Sequence, residues 1–426
     1  MKIALISFHS FYQPGGVKRH ILGLAKEFRK RGVEVKIIVP RRKRHENYGK
    51  DVILLGTSFP VVVGGTETDL VINFNPLAIE NVLKKEKFDI LHFHNFTPPS
   101  AFQILERSEL LNIVTIHANI EKSKFLKRSG FLYLCKRIIQ WKVDGLIGVA
   151  SLTLKGSEGF KGPKTVIPNG IDLDEFNPRV SGLKKFSDEK INILFLGRIE
   201  ERKGLIYLLR AYKILEKTFL NTELPSVVEA RGKKRAESSS PLRLIVAGEG
   251  SLKSYLEKWV KENKLKNIIF EGKVPEDKVA SFYKSCDIFC SPAIFGESFG
   301  LVLVEAMACG KPVVAFANEG YKGVLGDTKG ARFLVKPKDY KALAKKLEIL
   351  IKNPRLRKEM GQWGIEEAKK YSWEKIADQI LDFYQICLKE RRKQRKNFPL
   401  ELEKSFNKIL NRLYDKKILN WLKYPK

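Results

Sequence analysis

The chain has 426 residues, which is long for one domain and predicts two domains of ordinary size. Hydrophobic residues make up 43% and charged residues 30%, which excludes an intrinsically disordered protein, and no apolar run is long enough to span a bilayer. Lys and Arg outnumber Asp and Glu by 79 to 48, a net charge of +31 that fits nucleic acid, an anionic membrane or anionic small molecules as partners, or only solvated surfaces.

The first half of the chain alternates short apolar runs with helical periods. The run "IALISF" (3–8) predicts a first strand rather than a signal peptide, and 15–32 predicts a helix ending at Gly32. Further strands are predicted at "VEVKIIVP", "FDILHFH", "NIVTIH" and "DGLIGVA". Short strands separated by helices predict a parallel sheet covered on both faces.

A second series of the same kind begins near Ile191. Strands are predicted at "INILFLG", "LRLIVAGEG", "NIIFEG", "CDIFCSP", "KPVVAF" and "ARFLV", and the turn-rich segment 166–178 joins the two series. The predicted fold class is therefore α/β, with two Rossmann-like doubly wound domains facing across a cleft. In such sheets ligands bind beyond the carboxyl ends of the strands, so the cleft is the expected site.

Two loops at those strand ends carry candidate residues. In "PGGV" (14–17), two glycines leave room for an anion near the start of a helix, although two glycines also suit an ordinary turn. In "FLGRIEERKG" (195–204), Arg198 and Lys203 follow a strand and would clamp a diphosphate. The alternative is that both cations are only solvated.

Two acids stand eight positions apart in "GESFGLVLVEAMACGKPVVA". Glu297 lies in a loop and Glu305 two turns into the following helix, about 12 Å further along if all were helical, so the two do not share a proton. Each could accept the hydroxyls of a separate diol, beside the free amides of Gly300 and Leu301. The alternative is one capping acid and one surface acid.

These motifs resemble those of retaining glycosyltransferases of family 4, which have the GT-B fold. The "GESFGLVLVEAMACGKPVV" stretch has their E-x7-E signature, and "PGGVKRHILGLAKEFRKRGVEV", "FDILHFHN", "TIHAN", "VIPNGID" and "FLGRIEERKG" follow in the family's order over about residues 1–388. The segments "NFNPLAIENVLKKEKFDILHFHN" and "GESFGLVLVEAMA" look similar to those of phosphatidyl-myo-inositol mannosyltransferases.

The resemblance implies four catalytic residues. His117, in "TIH", would hydrogen-bond the transferred sugar. Arg198 and Lys203 would hold the diphosphate and stabilise its negative charge as it leaves, and Glu297 would bind the sugar hydroxyls. Retention in this family is usually assigned to attack on the same face with the leaving phosphate as base, so no residue is assigned as nucleophile. His117 could equally be an ordinary polar residue at a strand end.

The donor-binding set overlaps with the catalytic one. Gly16 would let the donor diphosphate and the acceptor approach the first domain. The amides of Phe299, Gly300 and Leu301 would meet the phosphates, beside Arg198, Lys203 and Glu297, while Glu305 would bind the nucleotide ribose. The base is expected near "EGKVPED" (271–277). No metal and no cofactor are expected, and the Asp172-Leu173-Asp174 string is predicted to serve a turn.

The predicted domains are 1–172, on the acceptor side, and 173–372, which binds the nucleotide sugar and carries a flexible insertion at 221–240. A helix over 373–390 is expected to cross back to the first domain. The tail 391–426 spaces leucines and aromatic residues between Lys and Arg, as in a basic amphipathic helix. Such a helix could lie on anionic lipid or pack its apolar stripe on the protein.

The predicted function is transfer of a hexose, mannose or glucose, from a GDP- or UDP-sugar to a lipid or membrane-anchored glycan. The expected location is the cytoplasm, peripheral at the inner face of the cell membrane, since five scattered cysteines favour a reducing compartment. The alternative is a soluble transferase making a polysaccharide or small glycoside. Nucleic acid is not an expected partner, because no RNP-type, helix-turn-helix or zinc motif accompanies the charge.

Overall fold

The computed structural model describes most of the chain as two α/β units. It covers residues 1–12, 15–63, 66–73, 75–96, 100–117, 139–220 and 240–394. The predicted insertion at 221–240 and tail at 391–426 therefore lie outside the described residues, apart from Ser240 and the last turn of the final helix. None of the helices in the described ranges combines the length and the apolar character that crossing a bilayer requires.

The first sheet has eight strands in the order β4-β3-β2-β1-β5-β6-β7-β8. The strands β1 to β8 are Lys2–Ser7, Glu34–Arg41, Val52–Val63, Thr66–Ile72, Ile90–His94, Leu111–Ile116, Gly145–Gly148 and Lys164–Val166. The helices α1 to α3 are Gly16–Lys30, Pro76–Glu86 and Ser100–Glu106. Because the chain leaves β1 toward β2 on one side and later returns to β5 on the other, a crevice is expected at the end of β1.

One part of this sheet departs from the prediction. The pair β3 and β4 is antiparallel, whereas the other pairings in the sheet are parallel. Two antiparallel strands can be joined by a short turn, so the chain needs no crossover helix here. The strands β3 and β4 were not among the predicted elements, although the sequence between them is Gly64-Gly65, a dipeptide typical of tight hairpins.

The second sheet has six strands in the order β11-β10-β9-β12-β13-β14, and its pairings are parallel. The strands β9 to β14 are Ile191–Leu196, Leu242–Ala247, Ile268–Gly272, Ile288–Ser291, Val313–Phe316 and Leu334–Val335. The helices α4 to α10 are Leu205–Phe219, Lys253–Glu262, Val279–Ser285, Leu301–Ala308, Glu319–Leu325, Tyr340–Lys352 and Pro354–Ala368. Each sheet buries an apolar layer on both faces, which confirms the predicted doubly wound fold class.

The last helix, α11 (Trp373–Gln394), packs on the first sheet although it follows the second in sequence. Its residues Ile376, Ile380 and Tyr384 are buried with residues of α1 and β1. The Tyr384 hydroxyl lies 2.6 Å from Nδ1 of His92 on β5. The chain therefore ties its two halves together after the second sheet is complete.

Candidate active site

The starts of two helices, one from each half, face each other across the cleft. Helix α1 begins directly after Gly15, at the carboxyl end of β1, and α7 begins after Gly300. A Cβ atom placed on Gly16 would lie 4.0 Å from the Leu301 side chain. Arg19, in the first turn of α1, reaches across to Glu305 of α7. The structure thus brings the predicted residues Gly16, Leu301 and Glu305 to one place.

The loop after β9 supplies cations to the same cleft. Lys203 ends a 3-10 turn (Glu201–Lys203), and its Nζ lies 2.7 Å from Glu297 Oε1. Arg198 is placed differently, because its guanidinium pairs with Glu200 at 2.9 Å and its side chain is half-exposed. The structure therefore joins two of the predicted residues, Lys203 and Glu297, in one contact and leaves Arg198 at the solvent side of the loop.

A third cation that sequence analysis did not single out completes this cluster. Arg202 donates from Nη1 to Glu297 Oε1 at 3.0 Å and from Nε to Glu200 Oε2 at 3.0 Å. The signal available in the sequence was the second of the three basic residues of "GRIEERKG". With Lys203 and Glu297, Arg202 forms a cationic pair around one carboxylate, which we call the Glu297 cluster.

The charges of the Glu297 cluster are set by opposing effects. Burial alone would raise the pKa of Glu297, but Lys203 and Arg202 hold it below the ordinary value for a glutamate. The carboxylate is therefore ionised at neutral pH, with a net positive charge left on the cluster as a whole. A positive cluster in a cleft is suited to an anionic group such as a diphosphate.

The loop before α7 is held in one conformation by a glycine. Gly300 has φ +115°, and a Cβ there would lie 2.7 Å from the Tyr321 ring, so a larger residue would be strained as well as crowded. Phe299 is buried beside it and Leu301 is half-buried. The amide of Leu303 donates to Gly300 O at 2.9 Å, whereas the two amides before it have no carbonyl four residues earlier within the helix and so suit an anion at the cleft.

A pocket opens beside this loop. Its walls include Gly296, Glu297 and Asn318 of the second half and Leu152 of the first. It therefore spans both halves of the molecule and has Glu297 in its wall.

Glu305 has a separate setting, as its spacing from Glu297 predicted. Its carboxylate is buried, with Oε1 3.0 Å from Arg19 Nη1 and Oε2 2.8 Å from the Tyr283 hydroxyl. Burial raises its pKa, and the contacts with Arg19 and Tyr283 offset this only in part. Sequence analysis identified neither partner, because neither lies in the E-x7-E motif.

His117 stands at the end of β6 among other histidines. Its Nε2 lies 3.1 Å from Nδ1 of His94, and its ring centroid lies 4.6 Å from that of His20. Burial lowers the pKa of His117 and of His94 well below the ordinary value, so both rings are neutral at pH 7. The neighbouring histidines lie in the stretches "HFH" and "KRH", and neither stretch by itself predicts that the three rings meet.

Within the described ranges, one group of side chains has the composition of a metal site. Ring nitrogens of His20, His94 and His117 all lie within 4.8 Å of one another. Imidazole nitrogens are common ligands of transition metals, so these three could hold one. Asp172 is used otherwise, since its Oδ1 accepts from the backbone amides of Asp174 and Glu175, which is the turn role predicted for it.

Two protein-family models match the chain, one for each half. The model of Glycosyltransferase Family 4 matches residues 14–175, and that of Glycosyl transferases group 1 matches residues 182–367. The chain is 32% identical over 395 residues to phosphatidyl-myo-inositol mannosyltransferase of Mycobacterium leprae, covering 90% of this chain and 96% of the relative. It is 31% identical to the enzyme of that name from Mycobacterium tuberculosis, covering 90% and 97%.

Solved structures share the fold at lower sequence identity. Sucrose-phosphate synthase from Thermosynechococcus elongatus superimposes with a TM-score of 0.70 at 21% identity, over 90% of this chain and 98% of the other. Anabaena HepE in complex with UDP gives a TM-score of 0.67 at 17% identity, over 90% and 100%. The predicted GT-B fold and the predicted family are confirmed: the chain belongs to the glycosyltransferases of family 4.

Proposed function

We propose that this glycosyltransferase moves a hexose from a nucleotide diphosphate sugar to a lipid or membrane-anchored glycan, with retention at the anomeric carbon. Mannose is the favoured sugar and a phosphatidylinositol headgroup the favoured acceptor, because relatives with 31–32% identity carry the name phosphatidyl-myo-inositol mannosyltransferase. Phosphatidylinositol is an anionic lipid, and the chain's net charge of +31 suits an anionic surface.

The observation that carries this proposal is the Glu297 cluster beside the start of α7. Lys203 and Arg202 supply two cations bound to Glu297, which lines the pocket, and the first amides of α7 supply hydrogen-bond donors. In the transfer, the bond from the anomeric carbon to the diphosphate oxygen breaks and negative charge grows on the diphosphate. Preorganised cations and amides stabilise that charge more than they stabilise the ground state.

The same cluster favours a binding role for Glu297 over a nucleophilic one. Its carboxylate accepts from two cations and is ionised, which leaves it suited to accept hydrogen bonds from sugar hydroxyls. The acceptor hydroxyl then attacks the anomeric carbon on the face from which the diphosphate leaves. Its proton passes to an oxygen of the departing phosphate, so atoms and charges balance without a protein nucleophile. In this mechanism His117 donates a hydrogen bond to the transferred sugar.

The donor is tested by thermal shift and by turnover. We expect one of GDP-mannose, GDP-glucose, UDP-glucose or an ADP-sugar to raise the melting temperature by binding the native state, and we favour GDP-mannose. Glu297→Gln and Arg198→Ala should abolish transfer to phosphatidylinositol vesicles while the unliganded melting temperature stays close to that of the wild type. Normal turnover in Glu297→Gln would refute the site, and an inverted product anomer in the NMR spectrum would refute retention.

The acceptor side is proposed to lie on an anionic membrane, at the inner face of the cell membrane. Helix α2 exposes Leu77, Lys84 and Lys85, and Lys87 directly after the helix is exposed as well, a combination suited to an anionic lipid interface. We expect the chain to sediment with vesicles that contain anionic lipid, and less so after the three lysines are changed to Gln or the residues 391–426 are removed. No sedimentation together with full turnover on a soluble acceptor would favour the soluble alternative.

A further inference from the structure

Arg19 and Glu305 form a contact between the two halves of the enzyme, and no role was predicted for Arg19 from the sequence. The Arg19 guanidinium, on the first turn of α1, lies 3.0 Å from Glu305 Oε1 on α7. The other oxygen, Oε2, accepts from the Tyr283 hydroxyl at 2.8 Å. Each oxygen of this buried carboxylate is therefore held by one donor, and the two donors come from opposite sides of the cleft.

An ionised carboxylate has about four lone-pair sites, two on each oxygen. Arg19 and Tyr283 occupy one site on each oxygen of Glu305. One site per oxygen is left, and both lie on the same planar group. Two neighbouring hydroxyls, as in the cis-diol of a ribose, match that arrangement with one hydrogen bond to each oxygen.

The carboxylate must stay ionised for this to work, and its surroundings oppose that. Glu305 is only 5% exposed, and an isolated buried carboxylate tends to take up a proton. Within the described residues, Arg19 is the cation in hydrogen-bond contact with it, and Lys203 acts from further away. Tyr283, Cys309 and Glu175 also face this region, and none of them supplies positive charge.

The position of Arg19 is also fixed by its own half, at the place where the first half contacts the second. Its backbone amide donates to Gly15 O at 3.1 Å, so its Cα is set by the glycine loop that precedes α1. Its side chain is one-third exposed, whereas Tyr283 is fully buried inside the second half. The contact therefore forms only when α1 and α7 approach, and the loop that faces the donor phosphates also positions the partner of Glu305.

We propose that Arg19 is a positioning residue for the nucleotide donor, which orients the ionised Glu305 carboxylate so that it accepts both hydroxyls of the ribose. This inference rests on the proposed function and on the ribose-binding role that the family resemblance implies for Glu305. It assigns to the first half of the enzyme a direct influence on nucleotide recognition by the second. Donor binding and the approach of the two halves are consequently linked through one ion pair.

The test compares nucleotides with and without the 2′-hydroxyl on matched variants. Calorimetric titration of the full chain with GDP, UDP, ADP and their 2′-deoxy forms gives the affinity lost with that hydroxyl. In Arg19→Gln we expect about 10-fold weaker binding of the ribonucleotide, the scale of one charge-assisted hydrogen bond. We also expect the 2′-deoxy penalty to shrink from about 10-fold to about 3-fold or less, with partial recovery in Arg19→Lys. The control is Lys26→Gln, which removes another α1 ion pair, with Asp172, about two helical turns beyond Arg19.

The outcomes separate this inference from the proposed function. If Arg19→Gln weakens the binding of the ribonucleotide and of its 2′-deoxy form equally, the 2′-deoxy penalty is unchanged and the inference is overturned. Arg19 would then act only on cleft closure or on the phosphates. Unchanged affinity in Arg19→Gln, or a change matched by Lys26→Gln, overturns it as well. If the wild-type chain binds nucleotide, and Glu305→Gln weakens that binding while Arg19→Gln does not, only this inference fails. If the wild type binds none of GDP, UDP and ADP, the proposed function fails with it.

Discussion

Lys203 Nζ lies 2.7 Å from Glu297 Oε1, so the cation expected to hold the donor diphosphate and the acid expected to hold the sugar are bonded to each other. The two positions are 94 residues apart in sequence and meet at the carboxyl edge of the second sheet. Arg202 shares the same oxygen at 3.0 Å. In the proposed mechanism, a donor that enters the cleft meets a group of fixed geometry, whose charges already hold each other in place before they position its phosphate and sugar.

Lys203→Ala should separate catalysis from stability. We expect transfer to fall by at least about 100-fold, because the leaving diphosphate loses a cation. The melting temperature should fall by no more than about 4 °C, because Arg202 still pairs with Glu297 after the substitution. Initial rates and thermal unfolding on the same preparation measure both. Lys352→Ala, which removes a pair with Glu348 at 2.5 Å in the same half, is the control and should leave the rate unchanged. A rate for Lys203→Ala within a few-fold of the wild type would contradict the assignment.

Gly204 should tolerate no side chain. It has φ +67°, and a Cβ there would lie 2.1 Å from the backbone oxygen of Pro292, which is rigid. Gly204→Ala therefore combines backbone strain with a clash, and we expect it to lower the free energy of unfolding by about 3 kcal/mol or more. Gly323→Ala is the matched control, because that glycine is exposed in a helix with nothing near its Cβ position, and the same substitution should stabilise by about 0.5–1 kcal/mol. Urea unfolding of the two variants should move in opposite directions, and a neutral Gly204→Ala would contradict the loop geometry.

Much of this fold could be predicted from the sequence because its strands are short apolar runs set between clear helical periods. The runs at 3–8 and 191–196 are examples, and both became central strands. The hairpin formed by β3 and β4 was not predicted, because 52–72 has neither a helical period nor a clean alternation and contains Pro60. These strands form because they pair with neighbouring strands, and the local sequence pattern does not predict that pairing.

The candidate site was predictable as a set of residues and not as a set of contacts. Glu297, Glu305 and Lys203 stand out because acids and cations at strand ends are functional signals. Their partners do not, since Arg19 meets Glu305 across 286 positions of sequence. Arg198 and Arg202 stand in one loop with the same charge, and only the fold decides that Arg202 turns to Glu297 while Arg198 turns to Glu200.

Trp373 should anchor the last helix to the first half. Its indole fills the space over Gly23 and Gly170, where a Cβ on either glycine would lie 2.3 Å from the ring. Trp373→Ala would leave a cavity between α1 and the start of α11, and we expect the free energy of unfolding to fall by about 3–5 kcal/mol. Ile386→Ala, at an exposed position on the same helix, should stay within about 0.5 kcal/mol of the wild type. An unaffected first urea transition in Trp373→Ala would show that this helix does not stabilise the first half.

Removal of divalent metal should leave transfer intact. The cations of the Glu297 cluster and the amides at α7 supply the positive charge that a metal provides in other phosphate sites, so we expect EDTA-treated enzyme to keep its rate within about 2-fold. Elemental analysis of the purified chain accompanies the assay. Loss of activity with EDTA and its return with zinc would contradict this prediction and would point to His20, His94 and His117 as the ligands.

The buried histidines should make the protein less stable in mild acid. Burial lowers the pKa of His20 to about 4 and that of His92 to about 3, whereas both titrate near 6.5 in the unfolded chain. A histidine whose folded pKa is lowered contributes stability that is fully present above pH 6.5 and is lost as the pH falls toward the folded value. Below pH 6.5 the unfolded chain binds the extra protons, so each ring should lower the free energy of unfolding by up to about 1.4 kcal/mol per pH unit, down to about pH 4 for His20.

Urea midpoints measured from pH 8 to pH 4.5 test this slope. In His20→Leu the free energy of unfolding should depend less steeply on pH below 6.5, by the contribution of about one bound proton, because that ring no longer titrates in the unfolded chain. His45→Gln, at an exposed position, should leave the slope unchanged. The two substitutions remove the same titratable group from the unfolded chain, so they differ only in the folded environment of the ring, and equal slopes for both would contradict burial as the cause.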